Sequence, residues 1–377
     1  MNTPSPRTIT LFIPDLEMGG AERVFVTLSR QFLQLGHGVR LILTRKTGPL
    51  LAELDPRVEV IDLAAGPTRP GWIFGLRTLC RLRRELRRNP PEAMLSTLTG
   101  ANLVAIAARL LSGKRFPLVV REAVTLADAG SALRRAAVRL FYPMADHIVA
   151  LTEPMAVQLE QRTGLSRHRI AVLPNPLDRE RIEALSLDAS ERDAIAAISP
   201  YIVSIGRLSP QKAHGDLMHA LALLDAPPRC VILGEGPQRA ELEALRQELH
   251  LQDRVLLPGV RTNPYPWLRH ASAFVLCSHW EGFPNALLEA THFRLPIIVT
   301  RYDASVDGLL SDYSPEQVRF VDCGDIQGIA DALATLPSTA GHAAPTAAAP
   351  PRKIAAALVA LLTTQALNTS PERPNGP

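Results

Sequence analysis

The sequence contains no apolar run as long as the roughly 18 residues that a membrane-spanning helix requires. Its first residues are polar, and the short apolar stretch after them leads directly into Pro14 and Asp15, which is not the pattern of a signal peptide. Cysteine is also scarce, and the spacing of the four cysteines fits neither a disulfide framework nor a metal site. We therefore expect a cytoplasmic protein with reduced thiols.

Two common ligand-binding signatures are missing as well. Gly19-Gly20 follows the first predicted strand, and because it is not a G-x-G-x-x-G pattern, a nicotinamide cofactor is poorly supported. No D-x-D pair of carboxylates accompanies the motifs described below, and Asp303 has no acidic partner at that spacing. We expect no cofactor and no bound metal.

Acidic residues are scarce in the first half of the chain. Residues 1–178 hold 24 Lys and Arg against 15 Asp and Glu, whereas the remainder holds 17 against 22. This imbalance suggests that the basic half meets an acidic partner, and nucleic acid, an anionic membrane surface and a phosphorylated acceptor all fit. One predicted helix, Trp72–Arg88, is especially basic, and its arginines are Arg77, Arg81, Arg83, Arg84, Arg87 and Arg88.

Leucines between these arginines allow one face of the helix to pack against the protein. The arginines are therefore either a solvated face or a docking site for anionic lipid. Nucleic acid is the weaker interpretation, since no aromatic residues interleave with the arginines. The docking interpretation predicts a peripheral position on the inner face of a membrane.

The length of 377 residues suits two domains, and strand and helix signals alternate through both halves. Thr8–Pro14, Ala21–Leu35 and Val39–Thr44 form a β-α-β unit, whose length forces a parallel pairing. The alternation restarts after a helical linker near Asp178–Ile198. We predict an α/β protein with two Rossmann-like, doubly wound domains that face a central cleft.

The predicted domains are residues 1–178 and 179–337. Residues 338–377 are predicted to combine an Ala/Pro-rich linker, a helix at Lys353–Leu367 and a disordered tail. Further strands are predicted at Val58–Leu63, Ala93–Leu98, Leu118–Glu122, Asp146–Thr152, Tyr201–Gly206, Cys230–Gly234, Val255–Gly259, Ala273–Ser278 and Pro296–Thr300.

The most informative stretch is Glu281-Gly-Phe-Pro-Asn-Ala-Leu-Leu-Glu289, in which two carboxylates stand eight positions apart. Its glycine permits a tight bend, and its proline fits the first turn of a helix. Free backbone N–H groups at Asn285, Ala286 and Leu287 would then form an anion site that the helix dipole favours. A surface helix with two solvated glutamates is the structural alternative.

Cations and glycines follow neighbouring strands of the second predicted domain. Arg207 and Lys212 come after its first strand, where a guanidinium and an ammonium suit a diphosphate. Solvated surface charges are the alternative for these two residues. After the next two strands, backbone groups would read a nucleobase edge at Gly234, Gly236, Gly259 and Val260.

Two further pairs stand at strand ends of the first predicted domain. Gly19 and Gly20 would let the backbone approach a ligand closely, or they mark a turn. Arg121 and Glu122 end the fifth strand. They either line the acceptor side of a site or form a structural ion pair.

Taken together, these residues resemble the family-4 type of GT-B glycosyltransferases over roughly residues 8–300. The matching motifs are, in order, Gly19-Gly20-Ala-Glu22, Arg207 with Lys212, Gly234-Glu-Gly-Pro237 and the Glu281–Glu289 block. The resemblance implies a nucleotide-sugar donor, transfer with retention at the anomeric carbon and no metal requirement. Arg121 and Glu122 stand where many relatives have a histidine and others have an Arg-Glu pair.

The resemblance also implies roles for individual residues. Glu289 would hold the ribose hydroxyls of the donor, and Glu281 would face the donor sugar. Arg207 and Lys212 would neutralise the diphosphate leaving group. Gly20 would approach the donor from the first domain.

We therefore predict a retaining glycosyltransferase that uses a nucleotide-sugar donor and a lipid-linked or surface-polysaccharide acceptor. The acceptor class follows from the resemblance and from the basic first domain. One alternative is a nucleotide-sugar 2-epimerase of the same architecture, although the further acid/base carboxylates and histidines of such enzymes are not apparent. The other is a non-catalytic nucleotide-sugar-binding protein, which is favoured by the poor match of Tyr302–Asp307 to the family pattern.

Overall fold

The computed structural model describes residues 5–66, 72–123, 132–336 and 350–363. These residues form two compact units: the first runs to Pro176 and resumes at Pro350, and the second begins at Leu177. The predicted Ala/Pro-rich linker up to residue 349 and the predicted tail from residue 368 lie outside the described residues.

The described part of the first unit is built on a seven-stranded parallel sheet. Its strands are β1 (Thr8–Ile13), β2 (Gly38–Leu43), β3 (Glu59–Asp62), β4 (Ala93–Thr97), β5 (Leu118–Arg121), β6 (His147–Ala150) and β7 (Ile170–Val172). Their order is β3-β2-β1-β4-β5-β6-β7, so the direction of winding reverses next to β1. Almost all of β1 is buried because both faces of the sheet are covered, which explains its continuous apolar run.

Helices cover this sheet in two groups. They are α1 (Gly20–Gln34), α2 (Trp72–Arg88), α3 (Thr99–Ser112), α4 (Ala132–Phe141), α5 (Glu153–Thr163) and a C-terminal helix (Pro351–Thr363). The C-terminal helix packs against α1, whereas α2, α3, α4 and α5 pack against one another in succession. Because crossovers between parallel strands are right-handed, the reversal of strand order places the two groups on opposite faces.

The described part of the second unit contains a six-stranded parallel sheet. Its strands are β8 (Tyr201–Ile205), β9 (Arg229–Leu233), β10 (Val255–Gly259), β11 (Ala273–Leu276), β12 (Ile297–Thr300) and β13 (Val318–Val321), in the order β10-β9-β8-β11-β12-β13. Its helices are α6 (Arg179–Ser186), α7 (Arg192–Ile198), α8 (His214–Ala222), α9 (Arg239–Glu248), α10 (Tyr265–Arg269), α11 (Asn285–His292), α12 (Ser305–Leu309) and α13 (Ile326–Ala334).

The predicted α/β class with two doubly wound sheets is confirmed, and two details differ from the prediction. The helical linker near Asp178–Ile198 is two helices, because the chain leaves α6 at Leu187 and the Asp188 side chain accepts from the amide of Ser190 in a turn. Strand β13 was not expected, since its four residues follow a polar segment and contain no long apolar run.

Candidate active site

The predicted donor-side residues of the second unit follow four neighbouring strands. Ligands bind outside the carboxyl ends of the strands in open α/β sheets, next to the point where the strand order reverses. In the second unit that point is β8, and the predicted residues lie at or just after the ends of β8, β9, β10 and β11. The predicted donor-side residues span about eighty positions of the sequence, from Arg207 to Glu289. The sheet topology brings the segments that carry them to one edge of the sheet.

Lys212 and Glu281 form an ion pair in this edge. Lys212 Nζ lies 2.5 Å from Glu281 Oε1, and Ser278 Oγ donates to the same carboxylate oxygen at 2.6 Å. The Glu281 residue is 5% exposed, so its charge needs these partners. The pair links the loop after β8 to the loop after β11 and fixes one ammonium and one carboxylate together.

The loop after β8 is shaped to hold Lys212. A Cβ on Gly206 would lie 3.0 Å from Cδ and Cε of the lysine, so the glycine leaves room for its stem. Gln211 Nε2 donates to the carbonyl of Trp280 at 2.9 Å, and the amide of His279 donates to the carbonyl of Gln211 at 2.9 Å. These bonds fasten the two loops on either side of the ion pair.

Arg207 differs from Lys212 in its surroundings. Its side chain is exposed, and within the described residues it forms no hydrogen bond or ion pair. Such an exposed guanidinium, in the same loop as Lys212, can bind an anionic ligand without first breaking a protein contact.

The glycines after β9 are required by packing between loops. Gly234 has φ +151°, and a Cβ there would lie 1.9 Å from the carbonyl oxygen of Gly206. A Cβ on Gly236 would lie 2.2 Å from the carbonyl oxygen of Leu208. The N–H of Gly234 donates to the carbonyl of Gly259 at 3.1 Å, so this amide is not open for a nucleobase edge as predicted.

Helix α11 begins at Asn285, with Pro284 at its N-cap position. The amide of Asn285 donates to the carbonyl of Phe283 at 3.0 Å. This corrects the prediction of three free amides, since one of them is occupied. The amides of Ala286 and Leu287 have no acceptor within the part of the chain that the structure describes, so two donors remain for an anion.

Tyr265 was not singled out from the sequence. Its hydroxyl group donates to Glu289 Oε1 at 3.3 Å, and Glu289 is half-buried on α11. Tyr265 opens α10, which follows β10 and the exposed Val260. The Asn-Pro-Tyr-Pro sequence around Tyr265 predicts only a turn. The contact between Tyr265 and Glu289 could not be predicted, because it depends on the packing of α10 beside α11.

His214 lies buried at the start of α8, with Nδ1 3.5 Å from Ser204 Oγ. Burial, and secondarily the charge of Lys212, lower the pKa of His214 to about 3. The imidazole is therefore neutral at physiological pH, and it adds no positive charge to the site.

The segment after β12, which matches the family pattern poorly, lies beside the ion pair. Burial raises the pKa of Tyr302, and the nearby Glu281 carboxylate raises it further. Asp303 Oδ1 accepts from the amide of Ser305 at 2.8 Å, so this carboxylate organises the start of α12. Within the described ranges, no group of three or more His, Cys, Asp and Glu residues is placed to hold a metal.

The glycine pair of the first unit stands at the start of α1. A Cβ on Gly19 would lie 2.2 Å from Glu22 Oε2, because the Glu22 side chain folds back over the first turn. Burial raises the pKa of Glu22, and a hydrogen bond to its own backbone amide opposes this. A glycine is thus needed at position 19 by the protein itself; Gly20 is the first residue of the helix.

Arg121 and Glu122 are both enclosed in the first unit. Arg121 donates to Thr97 Oγ1 at 2.8 Å and to Asn175 Oδ1, and burial lowers its pKa to about 10. Glu122 accepts from Thr99 Oγ1 at 2.8 Å and from the hydroxyl of Tyr142. Since neither side chain is exposed, this geometry favours a structural role over an acceptor-lining role, but these bonds join each residue to hydroxyl and amide groups and do not form the predicted Arg121–Glu122 ion pair.

The remaining sequence predictions concern the membrane. Among the described residues, no helix is both long and apolar enough to cross a bilayer. On α2, Arg81 is bound by the carbonyls of Leu63 and Ala64, and Arg83 Nε donates to the carbonyl of Leu111 at 2.9 Å. The other arginines of this helix, Arg77, Arg84, Arg87 and Arg88, are exposed.

Two family models match successive parts of the chain. One is described as Glycosyltransferase Family 4 and matches residues 18–181, and the other is described as Glycosyl transferases group 1 and matches residues 189–343. Together they cover every strand of both sheets except β1 (Thr8–Ile13).

Similar sequences carry glycosyltransferase names. N-acetylgalactosamine-N,N'-diacetylbacillosaminyl-diphospho-undecaprenol 4-alpha-N-acetylgalactosaminyltransferase of Campylobacter jejuni is 31% identical over 312 residues, which cover 80% of this chain and 83% of the relative. The lipopolysaccharide core biosynthesis glycosyltransferase LpsD of Rhizobium meliloti is 26% identical, with 84% of each chain covered. These names favour neither the epimerase nor the binding-protein alternative.

Solved structures share the fold. Anabaena HepE in complex with UDP and glucose superposes with a TM-score of 0.72 at 18% identity, covering 94% of this chain and 97% of the other. The apo form of the lipopolysaccharide outer core galactosyltransferase WaaB gives a TM-score of 0.63 at 19% identity, covering 94% and 95%. The predicted GT-B fold is thereby confirmed.

Proposed function

The chain belongs to the GT-B glycosyltransferases of the family-4 type, and we propose that it uses a nucleotide-sugar donor and transfers the sugar with retention. The observation that carries this proposal is the arrangement after β8 and β11 in the second unit. It combines the Lys212–Glu281 pair, the exposed Arg207 and the open amides of Ala286 and Leu287. Cations and amide donors at one sheet edge suit a diphosphate.

The chemical role proposed for these groups is to stabilise the leaving group. As the bond from the anomeric carbon to the diphosphate breaks, negative charge grows on the diphosphate oxygens. Arg207, Lys212 and the start of α11 supply fixed positive charge and N–H donors for it. A metal ion is not needed for that task, so we propose that transfer is metal-independent.

The two carboxylates take the two ends of the donor in this proposal. Glu281, held by Lys212 and Ser278, faces the sugar. Tyr302 lies near the Glu281 carboxylate, on the sugar side of the proposed site. Glu289, oriented by Tyr265, binds the ribose hydroxyls. The exposed Val260 contributes to the site of the base.

The acceptor proposed is a glycan carried on a lipid or a surface polysaccharide. The names of the Campylobacter and Rhizobium relatives support it, since one specifies a diphospho-undecaprenol substrate and the other lipopolysaccharide core biosynthesis. The excess of basic residues in the first half of the chain agrees with an acceptor that carries phosphate. A cytoplasmic protein bound peripherally to the inner face of a membrane follows from this acceptor.

The test is a transfer assay with a panel of nucleotide sugars and a diphospho-undecaprenol-linked sugar. We expect one donor to give a product whose new linkage has the anomeric configuration of the donor, read from the coupling constants in the proton NMR spectrum. Inversion of configuration would contradict the retaining mechanism. Isomerisation of a donor without transfer would contradict the transferase assignment in favour of the epimerase.

A further inference from the structure

Glu183, on α6, bonds to both of the helices that carry the proposed ribose contact. Its Oε1 accepts from a guanidinium nitrogen of Arg269, on α10, at 2.7 Å. Its Oε2 lies 3.1 Å from Nε2 of His292, on α11. The two oxygens of one carboxylate therefore hold two different helices, and α6 joins them from outside the strand-end motifs.

A second bond joins the same two helices directly. The hydroxyl of Tyr265 on α10 donates to Glu289 Oε1 on α11 at 3.3 Å. Arg269 follows Tyr265 by four residues on α10, and His292 follows Glu289 by three on α11. Side chains at these spacings lie on one face of a helix, one turn apart. The Glu183 bridge is therefore about one helical turn, roughly 5 Å, from the bond that orients Glu289.

The position of α10 depends on its bonds to α6. The helix has five residues, and a helix this short is not stable by itself in water. Besides the ion pair just described, Arg269 donates to Ser186 Oγ at 3.0 Å. Asn263, just before α10, donates through Nδ2 to the carbonyl of Leu185 at 2.8 Å. All of these acceptors belong to α6, so α6 fixes where α10 lies.

The bond to α11 involves a buried ring. The side chain of His292 is 7% exposed, and within the residues that the structure describes its Nδ1 has no hydrogen-bond partner. Loss of Glu183 would leave the other ring nitrogen without this partner as well, which is costly for a buried polar group. Bonds from Arg269, and secondarily from His292, lower the pKa of Glu183. The carboxylate is thus ionised at neutral pH and can accept from both helices.

We propose that Glu183 is a positioning residue for the donor, which holds α10 and α11 at the spacing at which Tyr265 orients Glu289 toward the ribose. This inference rests on the proposed function, in which Glu289 binds the ribose hydroxyls. It adds a residue that acts through other side chains and has no contact with the reacting atoms.

The expected effect is on donor binding and not on the stability of the fold. The Glu183 side chain is 50% exposed, and ion pairs at such exposure contribute little to the free energy of unfolding. The bond from Tyr265 to Glu289, at 3.3 Å, is already long for a hydroxyl donor, so a small shift of α10 would break it. The ribose is bound alike in the ground state and the transition state, so the KM for the donor should rise while kcat stays unchanged.

The experiment compares the dissociation constants of UDP and of dideoxy-UDP, whose ribose lacks both hydroxyl groups, by calorimetry. The GDP and ADP pairs are used in the same way if uridine is not the base. The ratio of the two constants measures the contribution of the ribose hydroxyls, and a partly unfolded sample does not change it. We expect dideoxy-UDP to bind about tenfold or more weakly in the unchanged protein, which is the scale of a hydrogen bond to a charged group.

Glu183→Ala should lower this ratio about threefold, since the bond that orients Glu289 is weakened and not removed. The KM for the nucleotide sugar should rise by a similar factor in the transfer assay, with kcat unchanged. Alanine favours the helix, so α6 should persist. An undiminished ratio in Glu183→Ala would overturn the proposal.

A matched control lies on α9. The Glu243 side chain is 44% exposed and pairs with Arg239 Nε at 2.6 Å, much as Glu183 pairs with Arg269 at 2.7 Å. Its partner lies on the same helix, so Glu243→Ala removes an ion pair without releasing one helix from another. The ratio and the donor KM should both stay unchanged. A fall as large as that of Glu183→Ala would attribute the effect to lost charge and contradict the bridge.

Arg269→Gln tests whether the carboxylate acts through α10. Alone, this change should lower the ratio. Added to Glu183→Ala, it should lower the ratio much less, because the bond between the two residues is already gone. Fully additive effects would mean that the two residues act independently, and Glu183 would then not position α10.

Glu289→Gln separates the failure of this inference from the failure of the proposed function. It should abolish the preference for the ribose hydroxyls. If it does so while Glu183→Ala keeps the full ratio, only the positioning role of Glu183 is wrong. If the unchanged protein shows no such preference, or if Glu289→Gln retains it, the proposed role of Glu289 is wrong and the role of Glu183 falls with it.

Discussion

The carboxyl edges of the two sheets use charged side chains in opposite ways. In the first unit, Arg121 and Glu122 are enclosed, and they bond to hydroxyl and amide groups of the same unit. In the second unit, Arg207 is exposed and Lys212 meets a carboxylate in a loop. From this difference we infer that Arg121 and Glu122 serve the fold, because their side chains are buried and bonded within the unit. We propose that Arg207 and Lys212 serve a ligand, because Arg207 keeps its donors open.

The largest effect is expected where donors remain open. Arg207→Ala and Lys212→Ala should each lower the rate of transfer by about 10²–10³, since each removes a group that stabilises the leaving diphosphate. Arg192, also exposed in the second unit, provides the control, and Arg192→Ala should leave the rate unchanged. Steady-state transfer assays decide this, and near-normal turnover in both test variants would remove the proposed role.

In the first unit, the same kind of change should act on stability. Glu122→Gln replaces an acceptor of two buried hydroxyl donors, and we expect a loss of about 1–3 kcal/mol in the free energy of unfolding. Glu92→Gln is the control, because Glu92 is exposed. Denaturant unfolding measures the change, and UDP affinity should stay the same. A large fall in UDP affinity with unaltered stability would contradict the structural role of Glu122 and indicate a role in ligand binding.

His214 gives the second unit a dependence on pH. Its pKa is lowered to about 3 in the folded protein, so the unfolded chain takes up a proton first as the pH falls below about 6.5. The contribution of His214 to the free energy of unfolding is therefore fully present above that pH and falls on acidification, by about 2 kcal/mol between pH 7 and pH 5. His214→Asn should flatten this part of the profile of unfolding free energy. An unchanged profile would show that other groups cause the acid sensitivity.

Substitutions at Gly19 and Glu22 test whether the first glycine motif is required for the stability of the protein. Gly19→Ala places a Cβ against the Glu22 carboxylate and should destabilise the protein by about 1 kcal/mol, the usual scale of a helix-start interaction. In a Glu22→Ala background the same change should cost almost nothing. Unfolding of the four proteins in this cycle measures the coupling. Additive effects would mean that the glycine is required for another reason, including a ligand.

The smallest effect is expected from metal removal. Since cations of the protein itself are proposed to neutralise the diphosphate, excess chelator should leave the transfer rate within about twofold. The assay compares chelator alone with chelator followed by Mg²⁺ or Mn²⁺. Loss of activity that either metal restores would contradict the proposed role of Arg207 and Lys212 as sufficient cations.

The sequence sufficed for the fold because its signals are local and repeated. Alternating strands and helices of ordinary length predict two doubly wound sheets, and right-handed crossovers leave little freedom in their topology. The Glu281–Glu289 block and its basic partners were also visible, since a glycine, a proline and two carboxylates stand within nine residues. The order of these motifs was enough to suggest the family.

Pairwise contacts could not be predicted in the same way. The bond from Lys212 to Glu281 joins residues 69 positions apart, and that from Tyr265 to Glu289 joins residues 24 apart. The reason for Gly234 is likewise non-local, because the atom that excludes a Cβ belongs to Gly206. The interpretation of Arg121 and His214 depends on their burial. The periodicity of apolar residues along the sequence does not show whether a polar or charged residue near a strand end is buried.

The most direct test of the account is the contribution of the second phosphate to nucleotide binding. Calorimetry would compare UDP with UMP for the unchanged protein, for Arg207→Ala and for Glu122→Gln, with GDP and ADP beside their monophosphates if uridine is not the base. The account predicts that the diphosphate binds more tightly in the unchanged protein and in Glu122→Gln, and that Arg207→Ala loses most of this difference. An undiminished preference for the diphosphate in Arg207→Ala, or its loss in Glu122→Gln, would contradict the assignment of the donor phosphates to the second unit.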